Sequence, residues 1–290
     1  MNEKHHAITE KLIAELERGC APWVRPWANT ALPRNVATKR SYRGANIVGL
    51  WMSQMFSGYP SADWLSFRQA LSLGGHVRKG EHGTPIFFYT VKEKDEEGTD
   101  RARRVPVLRS YTVFNVAQCE ELEIADDQSV KEPFERLADA ESFIAEIGAT
   151  VRYGGDRAYY SPSQDEIVLP PRESFVAPEH FYGTALHELA HHSGAKHRLA
   201  REFGKRFGDQ AYAFEELIAE LTSAYLCAEL NIPGILRHPE YLASWVQVLR
   251  GDVRALLTAG ARASEAADYL ARLAGRRESE SCDEEMNEAA

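Results

Sequence analysis

Residues 187–197 read HELAHHSGAKH. The first five positions are His-Glu-x-x-His, the pattern of a metal-dependent hydrolase. On a helix, His187 and His191 stand one turn apart on one face, so both imidazoles can hold one ion. Glu188 sits one residue further round, where its carboxylate can reach a water on the metal without binding the metal itself. The ion lowers the pKa of that water toward about 7, and the Glu takes its proton. The surrounding TALHELAHHSG has apolar neighbours and a terminating Gly194, so the spacing predicts a helix.

A catalytic site of this kind uses three protein ligands and a water. The stretch continues as x-x-Gly-x-x-His, which offers His197 as a third ligand in the metzincin manner. That pattern also needs a methionine turn beneath the site. The only methionine after residue 55 is Met286, in a polar tail. The following FEELIAEL segment offers Glu216 and Glu220, which are i and i+4 and share a helix face. Its neighbours Phe214, Leu217, Ile218 and Leu221 are apolar, so part of this helix is expected to be buried. A buried carboxylate needs a partner, and a metal is one. Glu216 is the preferred third ligand, with Glu220 as its support or alternative and His197 as the other alternative. Glu215 points about 100° away from Glu216 and fits the face less well. The expected ion is Zn2+, though His₂Glu sites accept other divalent metals.

Around this centre, helix signals recur at PFERLADAESFIAEIGA, FYGTALHELAHHSG, AYAFEELIAELTSAYLCAELNI, YLASWVQVLR and VRALLTAGARASEAADYLARLAG. Short strands are expected at TVRY, AYYS and DEIVLP, the last as an edge strand able to hold an extended peptide. Residues 120–132 are acidic, lack an apolar period and read as a linker. Residues 276–290 read as a disordered tail.

The first 119 residues differ. They begin with an amphipathic helix at 6–18, capped by Thr9 and stopped by Gly19. A proline-punctuated extended stretch follows. Two more helices are expected at GANIVGLWMSQMFSG and SADWLSFRQALSLGG, the second capped by Ser61. Strands follow around a charged, mobile hairpin at residues 93–104. The whole therefore reads as α+β, divided 1–119, 120–132, 133–275 and 276–290.

Charge divides along the same line. The chain of 290 residues carries a net charge of −9. Residues 1–119 hold 17 Lys and Arg against 11 Asp and Glu, a net of +6, and the remainder nets −15. Such asymmetry points the basic half toward a polyanion. Cations and aromatics interleave there: Trp23, Arg25, Trp27, Lys39, Arg40, Tyr42, Arg43, Arg68, Arg78 and Lys79. Bases of single-stranded nucleic acid stack on aromatic faces while Lys and Arg follow the phosphates, so these residues are the expected DNA contacts. No apolar run is long enough to span a bilayer. No signal peptide is evident, and the four scattered cysteines suit a reducing cytoplasm.

The order of PWxxPW, TKRSYRGAN, WLSFRQALSLGGHVRKGEHGT and YTVFNVAQ, followed by FYGTALHELAHHSG, RFGD and YAFEELIAEL, resembles the ArdC-type antirestriction proteins over about residues 7–250. A related domain opens some plasmid primases. The resemblance implies a single-stranded-DNA-binding domain joined to a zincin-like metallopeptidase domain, carried on mobile elements and protecting incoming plasmid DNA from host restriction. A protein of the host restriction system would then be a partner. The family more often reads TGHxSRL after its metal motif. Here SGAKHRL puts His197 at the serine position, which implies a local substitution and favours Glu216. Two other readings stay open: a DNA-binding protein whose metal centre is catalytically silent, and a plain metallopeptidase whose basic half docks acidic proteins.

Overall fold

The computed structural model describes residues 3–21, 23, 31–95, 102–122, 133–203, 210–233, 241–252 and 254–277. Helix α1 (Glu3–Glu17) starts earlier than its apolar period suggests. Thr9 is therefore an interior residue and is buried, not a cap. Helix α2 (Ala45–Ser57) is bracketed by Gly44 and Gly58, both at positive φ, a conformation that glycine adopts without strain. The expected helix from Ser61 is instead a short strand, β2 (Asp63–Leu65), followed by α3 (Phe67–Ser72). The cap is Ser66, whose hydroxyl accepts from the Gln69 N–H while the Gln69 side chain accepts from the Ser66 N–H. This reciprocal capping box outweighs the looser signal at Ser61.

The first-half sheet runs β1 (Arg34–Asn35), β2, β5 (Ala102–Asn115), β4 (Thr84–Asp95). Strands β4 and β5 are laddered from Thr84 opposite Val113 to Asp95 opposite Ala102. The ends of the expected hairpin at 93–104 are thus paired strand, and residues 96–101 lie outside the described residues. A second small ladder pairs β3 (His76–Val77) with β6 (Cys119–Glu120). Asn46 clamps α2 to β4, donating to the Phe87 carbonyl at 2.9 Å and accepting from its N–H at 2.8 Å.

The second half opens with α4 (Pro133–Ile147). A three-stranded sheet follows in the order β7 (Thr150–Tyr153), β9 (Glu166–Leu169), β8 (Tyr159–Ser161). Strand β9 is parallel to β7 and antiparallel to β8. DEIVLP is therefore the central strand and not the edge, because both its hydrogen-bonding sides are taken. Helices α5 (Pro178–Ser193) and α6 (Gln210–Glu229) pack together and against α8 (Ala255–Leu273), with α7 (Leu242–Gly251) beside α1. Pro at the first turn of α5 suits a position that needs no N–H partner. The chain beyond α8 is anchored through residue 277: Arg276 donates to Asp139 at 2.6 Å, and Arg277 to Glu229 at 2.8 Å. Residues 276 and 277 of the expected tail are therefore held against the fold, and 278–290 lie outside the described residues.

Packing does not follow the charge division. One core joins Leu12, Leu16, Trp23 and Trp51 of the first half to Leu217, Leu221, Trp245 and Leu256 of the second. Each such buried side chain contributes about 1.5–3 kcal/mol of transfer free energy. Polar contacts reinforce the seam. The Tyr225 hydroxyl donates to the Gly44 carbonyl at 3.1 Å, and the Gly44 N–H donates to Ser264 Oγ at 2.8 Å. Gly260 on α8 meets α2 so closely that a Cβ there would collide with the Ala45 backbone. A second core, with Phe143, Ile167, Leu186, Leu226 and Leu270, lies wholly in the second half. Among the described residues no helix is long and apolar enough to cross a membrane.

Candidate metal centre and nucleic-acid interface

Helix α5 carries His187 and His191 on the face it turns to α6, and α6 returns Glu216 to meet them. One ligand atom from each of these three residues lies within 4.8 Å of the other two. His187 Nε2 and His191 Nε2 are 3.2 Å apart. Glu216 approaches them at 3.4 and 3.6 Å. All three residues are buried.

The other nitrogen of each imidazole faces a further carboxylate of α6. His191 Nδ1 lies 3.3 Å from Glu215, and His187 Nδ1 lies 3.6 Å from Glu220. Glu215, within hydrogen-bond reach of His191 Nδ1, draws that ring's proton to Nδ1 and leaves Nε2 as an acceptor, while Glu220 stands at ion-pair distance from His187 Nδ1 and favours the same tautomer through its charge. Two imidazole lone pairs and a carboxylate then converge on one point. Such a group is repulsive unless a cation lies among them. The donor set therefore fits a divalent ion, with nitrogen and oxygen ligands of the type zinc accepts.

Electrostatics carry the same signature. Burial opposes charge on His191, yet Glu215 and Glu216 outweigh it and push its pKa up to about 10. Burial likewise opposes charge on His187, and Glu216 and Glu220 raise its pKa. Burial alone would lift Glu216, but His187 and His191 hold its carboxyl well below the usual range. Glu188 is buried beside them and adds its negative charge to both imidazoles.

Two residues of this network escape the sequence reading. Glu215 is no solvated neighbour: it faces His191 and accepts from Arg201 at 2.8 and 2.9 Å on its two oxygens. The Arg201 guanidinium also donates to Ser193 Oγ at 3.0 Å and to the Ala190 carbonyl at 2.6 Å. It passes so close to Gly194 that an added Cβ would sit 2.7 Å from Arg201 Nη2. The motif glycine thus makes room for an arginine and does not swing a third histidine inward. His197 is 64% exposed and pairs with Asp165 at 3.3 Å, away from the centre. Asp165 is also bound by Arg198 through two bonds of 2.7 and 2.8 Å. The signal for Glu215 was its place in FEELIAEL: a carboxylate beside Phe214 on a helix that is buried nearly all round.

In the first half the expected DNA contacts separate. Trp23 is 2% exposed and belongs to the shared core, so its ring has no free face for a base. Tyr42 is buried too; burial lifts its pKa to about 12, and Asn35 donates to its hydroxyl at 3.3 Å. Both are corrections to a base-stacking role, for the same physical reason. Arg43 is half-exposed and ion-paired with Asp268 on α8. Arg78 is held by Glu81 at 2.7 Å and by the Ala117 carbonyl at 2.8 Å. Lys39, Arg40, Arg68 and Lys79 are exposed. Arg25 and Trp27 lie outside the described residues. Among the described residues of this half, the large aromatics most open to solvent are Phe56 and Phe67, 50% and 51% exposed, and Phe67 is next in sequence to Arg68.

Comparison with known proteins places both halves. Residues 2–114 match the family model described as the N-terminal domain of anti-restriction factor ArdC, and residues 138–262 match the zincin-like metallopeptidase model. Protein y4eC of Sinorhizobium fredii is 39% identical over 280 residues, covering 92% of this chain and 91% of its own. A DNA primase TraC of Escherichia coli is 36% identical over 290 residues, but this chain spans only 20% of the primase. The metal-free crystal structure of the antirestriction protein ArdC from plasmid R388 superposes with a TM-score of 0.81 at 36% identity, covering 95% of this chain and 99% of that one. Its Mn(II)-bound structure gives 0.78 at 35% identity, with 94% and 99% covered.

Proposed function

The chain belongs to the ArdC antirestriction family, and from that premise we propose that it binds single-stranded DNA through its first half and acts on protein through a metal-dependent centre in its second. In this reading it guards incoming plasmid DNA against host restriction in the cytoplasm, and a host restriction-system protein is its target. His187, His191 and Glu216 hold a divalent ion. Zinc suits the donor set, and manganese is the ion named for the R388 relative. The single observation that carries the reading is the convergence of two buried imidazoles and Glu216, with Glu215 and Glu220 behind them.

When bound, such an ion supplies Lewis acidity, acidifying a water and polarising a carbonyl. The chain's own residues do the rest. Glu215 and Glu220 keep the Nδ1 protons in place and so aim Nε2 inward. Glu188, on the same helix one residue from His187, takes a proton from the attacking water and returns it to the leaving amine. On the DNA side, Phe67 offers a face for stacking while Lys39, Arg40, Arg68 and Lys79 follow phosphates.

Glu188→Gln tests the reading. The variant is expected to keep its metal and its DNA affinity, to lose peptide hydrolysis by about 10²–10⁴-fold, and to lose plasmid protection in a transfer assay. Protection equal to wild type would show that hydrolysis is not needed and leave a DNA-binding protein with a silent centre. Titration with a labelled single strand tests the other half: binding that weakens steeply with salt is expected, and none at low salt would sink it.

A further inference from the structure

We propose that Trp23 is a positioning residue of the metal centre. Its indole N–H, delivered by the first half of the chain, orients Glu220 and through it His187. The inference rests on the reading that His187, His191 and Glu216 hold a divalent ion, and adds that the ligand set is fully aligned only when the first half is docked.

The two ligand histidines are supported differently. Behind His191, Glu215 is fixed by Arg201 on both oxygens, 14 residues away on the same half. Behind His187, Glu220 presents one oxygen to Nδ1 at 3.6 Å. Its other oxygen accepts from Trp23 Nε1 at 3.3 Å, across 197 residues of sequence. The last torsion of a glutamate is soft, so a carboxylate bonded on one side alone can rotate. A donor on the second oxygen fixes its plane, and with it the acceptor that His187 sees. Partners of this kind set the tautomer and angle of a ligand imidazole, and losing one typically costs 10–100-fold in metal affinity, a range of order about one to two decades.

The same core contains its own control. Trp245 lies with its ring 6.1 Å from that of Trp23 and is fully buried, but among the described residues its indole nitrogen has no hydrogen-bond partner. Removing the indole of Trp245 disturbs packing; removing that of Trp23 disturbs packing and also frees Glu220.

The test uses the full-length protein, stripped with a chelator and titrated with Zn2+ and with Mn2+ against a competing indicator. Trp23→Phe is expected to bind about tenfold more weakly. Trp245→Phe is expected to bind as wild type while its metal-free Tm falls. Glu220→Gln keeps an acceptor for Trp23 but loses the carboxylate charge behind His187; it should lose at least as much affinity as Trp23→Phe. The double variant Trp23→Phe/Glu220→Gln should be no worse than Glu220→Gln alone, since both act through one carboxylate. Equal affinity of Trp23→Phe and wild type overturns the proposal, as does an equal loss in Trp245→Phe or none in Glu220→Gln. One readout needs no variant fold: in wild-type protein the Trp23 indole proton resonance should move on metal addition while that of Trp245 stays. A stationary Trp23 resonance overturns it. If wild type itself binds neither ion, the metal reading falls with it; if wild type binds and Trp23→Phe matches it, only the coupling falls.

Discussion

Helix α6 and the basic surface of the first half both carry dense charge, yet they treat it in opposite ways. Over six residues α6 buries Glu215, Glu216 and Glu220, and each faces a histidine of α5. The first half leaves Lys39, Arg68 and Lys79 in water. A buried charge is costly unless it is paired, so position alone restricts what each α6 carboxylate can be doing. A solvated cation carries no such restriction. Its role depends on a long-range field and on a partner that arrives later.

The sharpest way to break this contrast is to remove one buried ligand and one surface histidine. Glu216→Ala is expected to reduce metal affinity by more than about 100-fold, exceeding the loss from an outer partner. His197→Ala should stay within about twofold of wild type by the same scale. Metal analysis of both purified variants decides it; loss of metal only in the His197 variant would reverse the ligand assignment.

A second measurement, of stability and not of metal affinity, tests the charge network itself. Arg201→Leu leaves buried Glu215 with His191 as its remaining partner, and breaking a buried pair this way costs up to about 3–5 kcal/mol. Chemical denaturation of metal-free protein measures that loss. An unchanged midpoint would mean that the buried network tolerates the loss of its guanidinium, and the distinction between the two regions would lose its basis.

On the surface side, Phe67→Ala is expected to weaken single-strand binding by about 1–3 kcal/mol. Lys79→Ala should instead lower the salt slope by about 0.7. Fluorescence titrations across ionic strength separate the two. If neither variant departs from wild type, the strand runs elsewhere.

The smallest effect concerns an intermediate case, the partly exposed Asp165. Hydrogen bonds from Arg198 hold its carboxyl well below the ordinary value of 3.8, against the opposing effect of burial. A depressed folded-state pKa means stability present above 3.8 and lost as pH falls below it. Asp165→Asn should therefore lower the neutral plateau of a stability–pH curve toward its acid value and so flatten the acid limb. A steeper acid limb in the variant would contradict the assignment.

What was legible in the sequence follows from the same contrast. His187, Glu188, His191 and Glu216 were readable because helical spacing fixes which side chains share a face, and the apolar surroundings of α6 implied burial. Glu215 was misplaced because a helix wheel measures direction from one axis, whereas the paired imidazoles span a wider arc and meet carboxylates on both sides. Arg201 was invisible because its contact with Gly194 depends on how the chain folds back after α5. Trp23 and Tyr42 were read as surface aromatics because composition cannot tell a stacking platform from a core residue. The cap of helix α3 lies five residues after the expected Ser61, since two competing serines precede the helix and only Ser66 has a glutamine three positions on to complete the box.

The core that joins Leu12, Trp23 and Trp51 to Leu217 and Trp245 has a consequence for heredity. Cut between the halves, each fragment would open a wide apolar face to water, and the fragment holding α6 would lose the indole behind Glu220. Gene rearrangement that moved one half alone would yield a sticky, incomplete product. The TraC primases align with 92% of this chain although it fills only 20–27% of their length, so there the two halves travel together. The heritable cassette is the pair.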